Sequence, residues 1–176
     1  MKVLLCLVCS FYIIVSSITT MTTGTPSMPA INRQTLYLAA YSSKLFSWNV
    51  GCVKTRHLSQ EGDWVTRSLI YVFTFDKKPW ETKADAFKVK WEPYSPLLRV
   101  QASDYVKYNL RAKPEYFIRT YDDDFLLLSD VKESRSPCSL WVTLKYVERI
   151  PETINRTFYA NCPDPVTVPF DERCYP

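Results

Sequence analysis

The residues best suited to chemistry are the single histidine, His57, and the acidic run Asp122-Asp123-Asp124. A Ser–His–Asp nucleophile needs its histidine beside a serine, and no G-x-S-x-G accompanies His57. Close to Lys54 and Arg56, it reads as a solvated strand residue. Three successive carboxylates could hold calcium or a cationic ligand. Lying between EYFIRTY and FLLLSD, they read instead as a solvated turn joining two strands. Downstream of residue 24 the four cysteines, Cys52, Cys138, Cys162 and Cys174, show no C-x-x-C spacing and His57 is the only histidine, so no metal site is expected. These features point away from an enzyme.

The start of the chain sets the expected compartment. Met1-Lys2 is followed by an almost wholly apolar run, Val3 to Ile18, and then by small polar residues through Gly24. That order predicts a secretory signal peptide over 1–24, cleaved near Gly24-Thr25 and carrying Cys6 and Cys9 away. Residues 25–176 then form a single secreted domain. Four cysteines remain, Cys52, Cys138, Cys162 and Cys174, which imply two disulfides with three possible pairings. The favoured pairs are Cys138–Cys162, closing a short loop, and Cys52–Cys174, tying the tail to the front of the domain. A formal charge of +4 without a Lys/Arg cluster argues against nucleic acid. A monomer without membrane insertion is expected.

The elements that would position any site are mostly strands. AFKVKW places Phe87, Val89 and Trp91 on one face, LLRVQA does the same for Leu98, Val100 and Ala102, and VKYNLR for Val106, Tyr108 and Leu110. SLWVTLKY sets Leu140, Val142, Leu144 and Tyr146 on one side. RSLIYVFTF is apolar on both faces, with Tyr71, Phe73 and Phe75 taken as inward. Turn signals fall at Glu61-Gly62-Asp63, Lys78-Pro79, Glu92-Pro93 and Ser136-Pro137. The pattern predicts an all-β sandwich or up-and-down barrel. Two helical segments interrupt it: Asn32 to Ser47, with mixed signals, and one starting at Pro151-Glu152. The second carries the glycosylation sequon Asn155-Arg156-Thr157, which places it on an exterior surface. A barrel lined by large apolar side chains either packs solid or holds one small apolar ligand.

The run from Cys138 through Leu140-Trp141 to Cys162, with Cys52 in an early strand and Cys174 near the end, resembles the salivary lipocalins of ticks across the whole mature chain. The resemblance implies an eight-stranded up-and-down antiparallel β-barrel with a C-terminal α-helix packed outside, and the same two disulfides. It is nearest to a group of secreted tick lipocalins associated with altered host dendritic-cell responses and with a bound sterol. The amine-binding branch of the family carries Cys-Asp-Val, a spacer, Glu-Leu-Trp, a longer spacer and Cys. Here the corresponding residues are Ser129-Asp130-Val131, Ser139-Leu140-Trp141 and Cys162. With the glutamate replaced by Ser139, a buried ammonium would lack its anion, which favours an uncharged apolar ligand such as cholesterol. An amine such as histamine or serotonin would need Asp104, Asp122, Asp124 or Asp130 to point inward. A lipid mediator could occupy the same barrel. A surface-acting immunomodulator would need no functional ligand at all.

The expected wall is Tyr71, Phe73, Phe87, Val89, Trp91, Leu98, Val100, Tyr108, Leu140 and Val142. The expected partners are a small apolar ligand and an immune-cell surface protein of the host. Loop tips at Gln60 to Asp63 and Lys77 to Glu81 are candidate contact points for the latter.

Overall fold

The computed structural model describes residues 26–45, 50–73, 81–168 and 171–174. The expected signal peptide lies outside them, as do Phe75 and the Lys78-Pro79 turn. Eight strands follow in order: β1 (Leu36–Ser42), β2 (Val50–Glu61), β3 (Trp64–Phe73), β4 (Glu81–Trp91), β5 (Leu97–Ala102), β6 (Glu115–Tyr121), β7 (Phe125–Ser129) and β8 (Cys138–Val142). Each pairs antiparallel with the next. β1 pairs with both β8 and β2, which closes the barrel. Closure removes the free sheet edges that an open array would leave. A short ninth strand, β9 (Pro165–Thr167), adds to the later half of β1.

The Glu61-Gly62-Asp63 turn joins β2 to β3, with Gly62 at φ +57°, a left-handed conformation that glycine adopts at little cost. The acidic run is also a turn. Asp122 Oδ1 accepts the backbone N–H groups of Asp124 and Phe125 at 2.7 and 3.0 Å. Among the described residues no group of His, Cys, Asp and Glu could hold a metal ion.

Three expectations about local structure are corrected. Asn32 to Ser47 is not helical; it contains β1 and a 3-10 turn at Ser43–Leu45, with 46–47 outside the described residues. β1 is buried on both faces, so its apolar residues show no clean period of two. The VKYNLR segment is not a strand but part of helix α1 (Asp104–Asn109). Ser103 caps it by accepting the Val106 N–H at 3.3 Å, and Asp104 favours the positive end of the dipole. SLWVTLKY leaves the sheet at Val142, and Leu144–Val147 forms the short helix α2.

The helix after Pro151 is α3 (Glu152–Asn161), with Pro151 at its N-cap. It lies outside the barrel. Ile154 and Phe158 pack on Ala39 and Ala40 of β1, Phe125 and Leu127 of β7, and Leu140 and Val142 of β8. Cys138–Cys162 pins the end of α3 to the start of β8, with Cα atoms 5.4 Å apart. Cys52–Cys174 joins the tail to β2 at 5.0 Å. Cys52 sits at a register shift between Gly51 and Lys54, and Lys54 Nζ donates to the Cys174 carbonyl at 3.0 Å. The structure thus has the two expected pairings.

Candidate functional site

The barrel interior is not packed solid. It encloses a cavity of about 180 Å³, against the ~10–15 Å³ that one water needs. Alternation along each strand decides which side chains reach it. β3 sends in Arg67, Leu69 and Tyr71; β4 sends in Phe87 and Val89; β5 sends in Leu98, Val100 and Ala102. β7 contributes Leu126 and Leu128, and β8 contributes Ser139 and Trp141. Most of this wall is apolar.

Of the ten wall residues expected from sequence, Tyr71, Phe87, Val89, Leu98 and Val100 line the cavity. Phe73 and Trp91 share the inward parity of their strands without lining it. The Phe73 ring stands edge-on to Tyr71 at 5.4 Å. Trp91 packs in the floor, edge-on to Tyr121 at 5.7 Å, and its Nε1 donates to the Ser95 carbonyl. Tyr108, Leu140 and Val142 are corrected. Tyr108 is 82% exposed, because α1 turns it to solvent and points Val106 inward instead. Leu140 and Val142 are fully buried on the opposite side of β8, beneath α3. On that strand the apolar face lies outside the barrel, and the residues facing the cavity are Ser139 and Trp141.

The floor is closed by the segment before β1. Met28 and Ala30 pack among Val65, Val89, Leu98 and Leu126. Arg67, 1% exposed, staples this plug in place. Its Nε donates to Thr55 Oγ1 at 3.0 Å, its Nη1 to the carbonyls of Ala30 and Asn32, and its Nη2 to those of Gln34 and Thr55. All five N–H donors of the guanidinium are thereby used. Burial lowers its pKa to about 10, so it stays charged at neutral pH. Strand periodicity does not disclose this role; the signal in the sequence is a lone arginine at the head of an apolar strand segment.

Polar groups also reach the cavity at scattered points. Tyr71 donates to Asp85 Oδ2 at 2.8 Å, and burial followed by that bond raises its phenol pKa well above the usual range. Asp130, at the end of β7, lines the cavity half-buried, and desolvation raises its pKa against the opposing pull of Lys113. Tyr116 lies nearby, its hydroxyl accepting the Lys113 N–H at 2.9 Å. The opposite end from the floor is framed by Leu45 before β2, Val50 at its start, Asn109 at the end of α1, and Leu110, Arg111 and Ala112 after it. Of the four acids considered for an amine, Asp130 lines the cavity. Asp104 is exposed on α1, and Asp122 and Asp124 belong to the β6–β7 turn. Asn155 lies half-buried on α3, beside Ile154 of the packed face.

An apolar, floored barrel with a helix on its wall has close counterparts. No family model matches the chain. Japanin from Rhipicephalus appendiculatus is 83% identical over 176 residues, 100% of each chain. A solved structure, japanin from Rhipicephalus appendiculatus bound to cholesterol, matches with a TM-score of 0.82 and 82% identity, covering 85% of this chain and 100% of that one. Apocrustacyanin C2 (TM-score 0.55, 13% identity, 81% and 79% of the two chains) and lobster apocrustacyanin A1 (0.50, 13%, 84% and 91%) share the fold. Identity at that level over the full length places the chain in the japanin group of tick lipocalins.

Proposed function

We propose that this chain is a secreted lipocalin that binds a sterol such as cholesterol in its barrel and modulates host immune cells, dendritic cells among them. The observation that carries the sterol reading is the apolar cavity between β3, β4, β5, β7 and β8, in a chain 82% identical to a japanin solved with cholesterol bound. A rigid four-ring body needs an elongated apolar slot, and burying its surface contributes ~25 cal/mol per Å². Its single hydroxyl needs one polar partner, which Asp130, Ser139 or Tyr116 at the cavity wall supplies. Two disulfides accord with secretion after removal of residues 1–24, leaving one lipocalin domain over 25–176. The half-buried Asn155 on the outer helix is the glycosylation site.

The immune-cell action follows from the family resemblance, through a host cell-surface protein. Replacing Val100 with tryptophan fills the cavity from a residue that lines it. Titration with radiolabelled cholesterol should show binding to the parent and at least tenfold weaker binding to V100W. Equal binding by the two proteins would remove the barrel as the sterol site.

A second reading rests on Asp130, the one carboxylate lining the cavity among the described residues. An ammonium ligand held there would bind more weakly to Asp130→Asn, whereas a sterol would tolerate that change.

A further inference from the structure

The surface around the cavity mouth differs in character from the rest of the barrel. α1 turns Val106 into the cavity and Tyr108 to solvent, at 82% exposure, while Tyr105, 45% exposed, hydrogen-bonds the cavity-wall residue Tyr71. The connection from α1 to β6 exposes Arg111 and Lys113, and the loop from β7 to β8 exposes Val131, Lys132 and Arg135. With Lys107 on α1, these two segments carry five exposed cations; their exposed acids are Asp104 and Glu133, and Lys107 lies 3.2 Å from Asp104. Beside Tyr105 the start of β4 carries a matched pair, Lys83 with Glu81, and on the outer wall Lys88 pairs with Glu61 and Arg99 with Glu92 and Glu115.

The β7–β8 loop is held in shape. The Arg119 side chain reaches across from β6, donating to the Val131 and Lys132 carbonyls at 2.9 Å each, to Ser129 Oγ at 2.7 Å and to Ser136 Oγ at 2.8 Å. Val131 and its neighbouring cations are therefore displayed by a built loop beside the opening.

We propose that this rim docks on an anionic lipid surface and sets the cavity mouth against the bilayer. The proposal rests on the reading that the cavity holds a sterol. Sterols are nearly insoluble in water and reside in bilayers, so entry and exit are easiest where the apolar opening meets the ligand's own solvent. Tyrosine suits the headgroup layer, with an apolar ring and a polar tip. Lysine and arginine next to it are drawn to anionic headgroups. The contact is peripheral: among the described residues no helix is long and apolar enough to cross a membrane. An acidic protein surface could answer the cations, but it would not answer an apolar opening rimmed by Tyr105, Tyr108 and Val131.

The test is co-sedimentation of the full secreted chain with vesicles of phosphatidylcholine alone or with added phosphatidylserine, both loaded with labelled cholesterol. The parent should bind the phosphatidylserine vesicles more tightly, and added salt should weaken that binding. Lys107→Gln with Lys132→Gln should weaken it about thirtyfold. Tyr108→Ser should weaken it on both vesicle types. Neither the lysine pair nor Tyr108 lines the cavity, so sterol content at equilibrium should be unchanged while uptake from vesicles slows. A parent that ignores both vesicle types overturns the proposal, as does a charge variant that binds like the parent. Binding to intact cells that survives lipid competition but is lost in K107Q/K132Q makes the rim a protein-binding face, and also overturns it. Docking with no transfer of sterol would sink the sterol reading while leaving the docking surface standing.

Discussion

Arg67 Nη2 donates to the Gln34 carbonyl at 2.6 Å, joining the middle of β3 to the segment that plugs the barrel floor. The same guanidinium also holds Ala30 and Asn32 of that segment. Because the charge has no carboxylate among these partners, its stabilisation comes from five hydrogen bonds set against burial. Arg67→Met should leave several buried carbonyls unpaired and lower unfolding free energy by about 3 kcal/mol. Urea denaturation measures this directly. A variant as stable as the parent would mean that the plug is held by packing alone.

Leu140 and Val100 separate the two layers of the protein. Leu140 is enclosed between β8 and α3, so Leu140→Ala should cost about 3 kcal/mol and leave sterol affinity nearly unchanged. Val100→Trp should do the reverse, since Val100 lines open space. Thermal melts beside cholesterol titrations distinguish the two, and a loss of ligand in Leu140→Ala at temperatures where it stays folded would contradict the assignment of faces.

Asp124 gives a pH signature. Lys145, Thr143 and the β6–β7 turn surround it, and the Lys145 hydrogen bond holds its carboxyl below the ordinary value of 3.8. Folding therefore favours the ionised form. Its contribution is present above that ordinary value and is lost as pH falls through the folded-state pKa. Lys145 is largely exposed, so solvent screening keeps the effect small. Asp124→Asn should be less stable than the parent at pH 7, with the gap narrowing as pH falls below the ordinary carboxylate value. A gap that is constant with pH would assign the loss to something other than charge.

The bond Cys138–Cys162 closes a loop with a sequence separation of 24. In the chain-entropy model, replacing both cysteines by serine removes about 3 kcal/mol, with α3 the first element to loosen. Hydrogen exchange should show faster exchange in Glu152–Asn161 than in β3 and β4. Uniform acceleration across the barrel would show that α3 is not a separable unit.

How legible each strand is in the sequence depends on what covers it. β4 and β5 have no helix on their outer face, so Lys88, Lys90, Arg99 and Gln101 alternate with inward residues, and Phe87, Val89, Leu98 and Val100 lie where that alternation puts them. β1, β7 and β8 lie under α3; β1 and β7 are apolar on both sides, and β8 turns its apolar face, Leu140 and Val142, outward beneath the helix. On β1 the period of two is erased, which is why it reads as partly helical; on β8 the period survives but its apolar face is the outer one, so the inward face reads as Leu140 and Val142. The missing charge on a covered outer face removes the one cue that sets the phase. Tyr108 departs from expectation for a different reason. Six residues of VKYNLR fit a strand period by chance, while the helical cue, Ser103-Asp104 at the N-cap, stands just before it. Asp130 is visible in the sequence as an acid that could point inward, and it lines the cavity.

The barrel, on this reading, is a container for a sterol. That is tested most directly by native mass spectrometry of the secreted, purified chain, beside mass spectrometry of its organic extract. One sterol per chain is expected, retained by the parent and absent from Val100→Trp. A parent that emerges empty, and that takes up histamine or serotonin in an Asp130-dependent manner, would contradict it.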